Sequence, residues 1–121
     1  MIKIDPDQSI AVIELEGVVE LPSIFETIKA LLSHPGHQTN MDELWDLRRA
    51  SGINIQTEDL LRIAEEVKRY QAQLAKRIAI VADSELEYGL SRMWISHVEH
   101  EMPKERRVFR RIEEAYDWLS G

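Results

Sequence analysis

Two sets of side chains in this sequence have types and spacing that suit chemistry. Asp46 and Arg48 stand in the string ELWDLR, and Asp83 and Ser84 directly follow the apolar run Ile78–Ala82. With both segments as neighbouring strands, their carboxyl ends bring a carboxylate, a guanidinium and a hydroxyl together beside a helix amino terminus. Such a set can orient a small polar ligand or a partner's peptide. The same residues can also serve structure alone, with Asp46 paired to Arg48 along the strand and Asp83 accepting backbone N–H groups at the turn. No histidine falls at a strand end, so the set lacks a nucleophile, base and orienting group. No catalytic residue is assigned, and the chain is expected not to be an enzyme.

The second set is HVEHE, in which His97, His100 and Glu101 share one helix face at i, i+3 and i+4. Two imidazoles and a carboxylate on one face can meet a zinc ion. The spacing is not the HExxH of the zincins, and His97 also falls on an apolar stripe. One packed and one solvated histidine near a helix end is the competing reading. No metal or cofactor is expected, and a metal-dependent hydrolase ranks third among the functions considered. His34 and His37 flank a Pro-Gly turn and make a weaker pair still.

The elements that must position these groups follow from periodicity. Ile78 to Ala82 is apolar at every position and rich in β-branched residues, which suits a strand covered on both faces in a mostly parallel sheet. Asp83 and Ser84 then cap a helix. Leu86, Leu90, Met93, Trp94 and His97 form the stripe predicted to face inward from it. Gly89 inside that helix costs about 1 kcal/mol against alanine, which predicts a close approach to another backbone. Tyr88 and Trp94 lie on different sides of this helix, so one of them faces an interface, a pocket or solvent. The candidate ligand or partner site is therefore Asp46, Arg48, Asp83, Ser84, Tyr88 and Trp94. Trp45, Met93, Met102 and Trp118 are read as core.

Upstream, Ile2 to Asp5 and Ser9 to Glu16 read as two strands paired antiparallel across the Asp5-Pro6-Asp7 turn at a sheet edge. Pro22 opens a helix whose stripe is Ile24, Phe25, Ile28, Leu31 and Leu32. Glu43 to Arg48 is a further interior strand, and Arg49 to Gln56 is expected to be a loop. Thr57 is the predicted N-cap of the next helix, followed by Glu58 and Asp59 in its first turn. That helix buries Leu60, Ile63, Ala64, Val67, Tyr70 and Leu74 and closes on Lys76 and Arg77. After Pro103 come a short strand over Arg106 to Arg110 and a last helix facing inward with Ile112, Ala115, Tyr116 and Leu119.

The expected fold class is α/β: a five-stranded, mostly parallel sheet with an antiparallel N-terminal edge strand and four helices, in one domain over residues 1–121. At 121 residues the chain can bury a core without staples, and it has no cysteine. A formal net charge of −7 argues against nucleic acid as a partner. The basic cluster of Lys104, Arg106, Arg107, Arg110 and Arg111 reads as a charged edge strand. No apolar run approaches the roughly 20 residues of a membrane span, and the amino terminus has no leader pattern, so a cytoplasmic protein is expected.

The order of these elements, with the strings LWDLR, RIAIVADSELEYGLSRMW and RVFRRIEEAYDWL, resembles the bacterial SpoIIAA-like proteins of the STAS-related fold, a group often placed with CRAL-TRIO-type domains. The resemblance spans nearly the whole chain. It implies a non-enzymatic regulatory or protein-interaction module, here a homodimer with a protein partner. Its CRAL-TRIO side implies instead a carrier of a small apolar, lipid-like molecule in a cavity between sheet and third helix. STAS anti-sigma-factor antagonists are phosphorylated on a serine in an Asp-Ser-Ser-Gly turn. Only Ser51 and Gly52 match that turn here, and acidic neighbours crowd both Thr57 and Ser84. Both hydroxyls are therefore expected to be helix caps and not phosphorylation switches.

Overall fold

The computed structural model describes residues 1–39, 41–70, 77–98 and 105–121. Strand β1 (Ile2–Asp5) pairs antiparallel with β2 (Ile10–Glu14). Asp5 Oδ1 accepts the backbone N–H groups of Asp7 and Gln8 at 3.0 and 3.1 Å, the local bonding that suits aspartate to a turn. Strands β4 (Asp42–Asp46), β6 (Arg77–Val81) and β7 (Glu105–Phe109) complete a five-stranded sheet in the order β1-β2-β4-β6-β7. Every pairing after the first is parallel. Strand β6 is interior, as its unbroken apolar run requires, with β4 as the middle strand.

Side-chain alternation divides the core in two. Ala11, Ile13, Ile78 and Ile80 point to one face, where α1 (Leu21–Ser33), α2 (Thr57–Arg69) and α3 (Glu85–Val98) lie. Ile10, Leu44, Ala79 and Val81 point to the other, where α4 (Ile112–Ser120) covers β4, β6 and β7 with Ala115 and Leu119. Phe109 and Trp118 meet there at 5.7 Å between ring centroids. No described helix is long and apolar enough to cross a membrane.

Several local expectations are corrected. Arg49 to Gln56 is not a loop: Ala50–Asn54 is strand β5, paired parallel to β3 (Gly17–Glu20) in a separate two-stranded sheet. Gly17 enters β3 at φ +72°, a left-handed backbone that glycine adopts without strain. Neither strand alternates clearly in sequence, because each is held by its partner and by the core beneath Val19. The N-cap of α2 is Gln56, and its backbone N–H donates to Asp59 Oδ2 at 2.9 Å. Thr57 is the first helical residue and does not cap. The buried stripe Leu60, Ile63, Ala64 and Val67 of α2 is as read, while Leu74 and Lys76 lie outside the described residues.

Helix α3 departs most. Leu86 is 59% exposed and Met93 43%, while Glu87, Ser91 and Trp94 are buried. Trp94 and Leu90 face inward as the apolar stripe predicts, but Glu87 and Ser91 take the buried places expected of Leu86 and Met93. A Cβ on Gly89 would meet nothing within 4 Å, so the close backbone approach expected there is absent.

Candidate functional site

The carboxyl ends of β4 and β6 do bring Asp46, Arg48, Asp83 and Ser84 into one neighbourhood, with Asp46, Arg48 and Ser84 already engaged and Asp83 exposed. Asp46 is 4% exposed. It takes Arg48 Nε on Oδ1 at 2.9 Å, the second guanidinium nitrogen on Oδ2 at 2.8 Å, and the Arg48 backbone N–H at 3.0 Å. Burial alone would raise the Asp46 pKa, but the bonds from Arg48 outweigh it and hold the carboxyl below its ordinary value. Asp83 adds a favourable field at Arg48. Ser84 Oγ accepts the Glu87 backbone N–H at 3.2 Å, so it caps α3 as expected.

On the opposite face of the sheet lies a cavity of about 120 Å³. Its walls are apolar, from Ile24 and Ile28 of α1 through Leu60, Ile63 and Val67 of α2 to Ile78 and Ile80 of the sheet. Five polar side chains are buried among the described residues: Glu43, Asp46, Glu87, Ser91 and Arg106. Three of them, Glu43, Glu87 and Ser91, line this cavity. Glu87, Ser91 and Trp94 stand at i, i+4 and i+7 on α3 along one wall, yet the surface the cavity presents is almost wholly apolar.

Two fully buried atoms of these side chains lack hydrogen-bond partners: Glu87 Oε2 and Trp94 Nε1. Burial raises the Glu87 pKa, the nearby Asp83 carboxylate raises it further, and the Ser84 hydroxyl only partly offsets them. The floor is different, since Trp45 Nε1 donates to Glu43 Oε1 at 2.8 Å. Strand register sets Glu43, Ile78 and Arg106 in one row across β4, β6 and β7. The Arg106 guanidinium lies over the Trp94 ring, 5.9 Å from its centroid. Burial lowers its pKa and the field of Glu43 opposes that shift.

A solved structure matches the fold of this chain along its length. It is an uncharacterized protein from the DUF3478 family with a SpoIIAA-like fold, from Shewanella loihica PV-4. The TM-score is 0.62 over 98% of this chain and 92% of that one, with 19% of residues identical. This chain has the SpoIIAA-like fold. No family model matches its sequence, and no curated protein does. At that identity the likeness is one of fold alone; the CRAL-TRIO side of the expectation rests on sequence strings.

In the SpoIIAA-like chain the six candidate residues do not form one site, because Tyr88 and Trp94 lie apart from the other four. Asp46 and Arg48 lie on the α4 side, where the Asp46 carboxylate also acts on Tyr116. Trp94 faces the cavity. Tyr88 is half-buried beneath the Arg110 guanidinium, 4.2 Å from its ring centroid, and Arg110 also meets Glu85 at 2.8 Å. Tyr88 is therefore not a free aromatic surface. Of the basic cluster, Lys104 lies outside the described residues and Arg107 lies over Phe109 and Trp118 at 5.4 and 5.9 Å.

The His97 side chain, His100, Glu101 and Met102 lie outside the described residues, so HVEHE has no described geometry. Among the described residues no group of three His, Cys, Asp or Glu could hold a metal ion. Sequence reasoning missed Glu43, Glu87 and Ser91. A signal for Glu87 was present: Ser84 and Glu87 form an S-x-x-E capping pattern, and Glu87 shares a helix face with Trp94 seven residues on.

Proposed function

We propose that this SpoIIAA-like chain is a non-enzymatic binding module that takes a small apolar molecule into the cavity beside α3. The observation that carries this reading is the cavity itself, walled by aliphatic side chains from three helices and two sheets. Side-chain packing in protein interiors leaves few voids larger than a water, so a space of about 120 Å³ is a departure from ordinary core. Its size narrows the expectation of a lipid-like cargo. A dry apolar cavity of roughly 150 Å³ takes one benzene-sized molecule. The occupant here is then a single ring or a short branched chain, not a full-length lipid.

Calorimetric titration with toluene tests the reading, with Ile63→Phe as a cavity-filling control. Saturable uptake by the native chain, lost in the control at an unchanged melting temperature, is the expected result. No heat of binding to the native chain, with no adduct in native mass spectra, would remove it.

A second reading, the interaction module with a homodimer and a protein partner, is favoured by α3. Leu86 and Met93 stand exposed on one line of the helix with Gly89 between them. Sedimentation equilibrium decides it: a dimer that Met93→Glu dissociates supports this surface, and a monomer at high concentration argues against it.

A further inference from the structure

Resting on the reading of the cavity as a binding site, we infer that its occupant carries no hydrogen-bonding group, and that the site separates a hydrocarbon or halocarbon ring from hydroxylated and charged analogues of the same size. Glu43, Trp45, Glu87, Ser91 and Trp94 all line the space, and by type alone they would suit a polar ligand. Their orientation removes that use, because the surface presented to the cavity is almost wholly apolar. Trp45 Nε1 donates to Glu43 Oε1 at 2.8 Å, so the indole is already engaged within the floor. Glu87 Oε2 and Trp94 Nε1 are sealed inside the wall. What these residues turn toward an occupant is carbon.

A molecule that enters such a space gives up its hydrogen bonds to water. Its apolar atoms recover contact with the aliphatic side chains of Ile28, Ile63, Val67 and Ile80. A hydroxyl recovers nothing, and a polar group buried without a partner is penalised, an ionised one far more. The low polarity of this side of the sheet is visible in its own titrating groups: burial holds the Glu87 pKa up and the Arg106 pKa down. The solvent that the wall resembles is therefore an alkane, which offers no hydrogen bonds, and not an alcohol, which does. A volume of about 120 Å³ limits the class to a single ring or a compact branched chain. The occupant lacks N–H, O–H and ionised groups.

The test is isothermal titration of the full chain with three probes that differ in one substituent on a single ring: toluene, chlorobenzene and phenol. Toluene and chlorobenzene should bind within about threefold of each other, and phenol at least about a hundredfold more weakly than toluene. Val67→Thr, nearly the same in shape, sets a hydroxyl on the wall and should narrow the phenol gap by about fivefold or more, once an intact melting transition is confirmed. Phenol within about a hundredfold of toluene on the native chain would overturn the exclusion and leave the apolar cavity reading standing. Chlorobenzene as weak as phenol would overturn it too, since bond polarity and not hydrogen bonding would then decide. A gap unchanged in a folded Val67→Thr chain would overturn it by showing that missing partners in the wall are not the cause. Failure of toluene and chlorobenzene to bind the native chain would remove the cavity reading and this inference with it.

Discussion

Asp46 and Glu87 are carboxylates on opposite sides of one sheet, 4% and 6% exposed. Asp46 is held by three hydrogen bonds from Arg48, and its acidity is strengthened. Glu87 has an oxygen without a partner beside an apolar space, and its acidity is weakened. On sequence the first looked like the site, because aspartate and arginine at strand ends resemble a recognition set. In the fold that pair satisfies itself and leaves little for a ligand. A closed ion pair explains its own presence, whereas an unpaired buried group calls for something else to explain it.

The contrast predicts opposite signs on mutation. Arg48→Met leaves the Asp46 carboxylate buried without its partner. Complete isolation of a buried charge costs about 3–5 kcal/mol. The Arg48 side chain is 40% exposed, so water reaches part of the pair and a loss of about 2–3 kcal/mol is expected. Urea denaturation at pH 7 measures it. A loss below about 1 kcal/mol would make the pair incidental and break the contrast from its satisfied side.

Glu87→Leu should act the other way. It removes an unpaired polar atom and adds apolar surface to an apolar wall, for a gain of about 1–2 kcal/mol. Part of that gain is offset because Glu87 sits in the first turn of α3, where negative charge is favourable by about 0.3–1 kcal/mol. The same urea experiment reads the net change. A clear loss of stability would place Glu87 among the structural residues.

How much of this was legible in the sequence depends on what each segment had to satisfy. Strand β6 was readable because both its faces are covered and every position from Ile78 to Val81 is buried. Helix α2 was readable because Leu60, Ile63, Ala64 and Val67 recur at helical spacing and are all buried, with Leu61 the one apolar exception. Strand β5, with Ser51, Gly52 and Asn54, has no strand signal of its own and forms against β3. Helix α3 misled because its apolar line, Leu86 to Met93, is not its buried line. Periodicity assumes that a helix buries its most apolar face, and here Glu87 and Ser91 face inward. That violation falls at the cavity, where a functional departure from the packing rules would be found.

Ser84 sharpens the comparison through the helix that carries Glu87. Its hydroxyl accepts the Glu87 N–H, so Ser84→Ala should cost about 1 kcal/mol. Thr57→Ala should change stability by less than about 0.5 kcal/mol, because Gln56 occupies the cap position of α2. Paired melting curves separate the two. Equal losses in both would mean that Thr57 contributes to its helix in a way the bond from Gln56 to Asp59 does not reveal.

The smallest expected effect is in pH dependence, and it probes the contrast without changing packing. The Asp46 pKa is depressed in the folded state, so its contribution to stability is present above the unfolded value of about 3.9 and is lost as pH falls through the folded pKa. The Glu87 pKa is raised, so its protonated form contributes fully below the unfolded value of about 4.3, and that contribution is lost as pH rises through the folded pKa. Each carboxyl is compared with its amide, Asp46→Asn and Glu87→Gln, by urea denaturation between about pH 3 and pH 8. The native chain's stability relative to Asp46→Asn should rise with pH across the acid end of that range. Its stability relative to Glu87→Gln should fall as pH climbs from the ordinary glutamate range and then level off once the folded carboxyl is ionised. Opposite slopes follow from opposite surroundings: Arg48 favours the charged form of Asp46, while burial and Asp83 disfavour that of Glu87. Slopes of the same sign would mean that an unrecognised cation pairs with Glu87, and the cavity wall would then be closed in the way the Asp46 pair is.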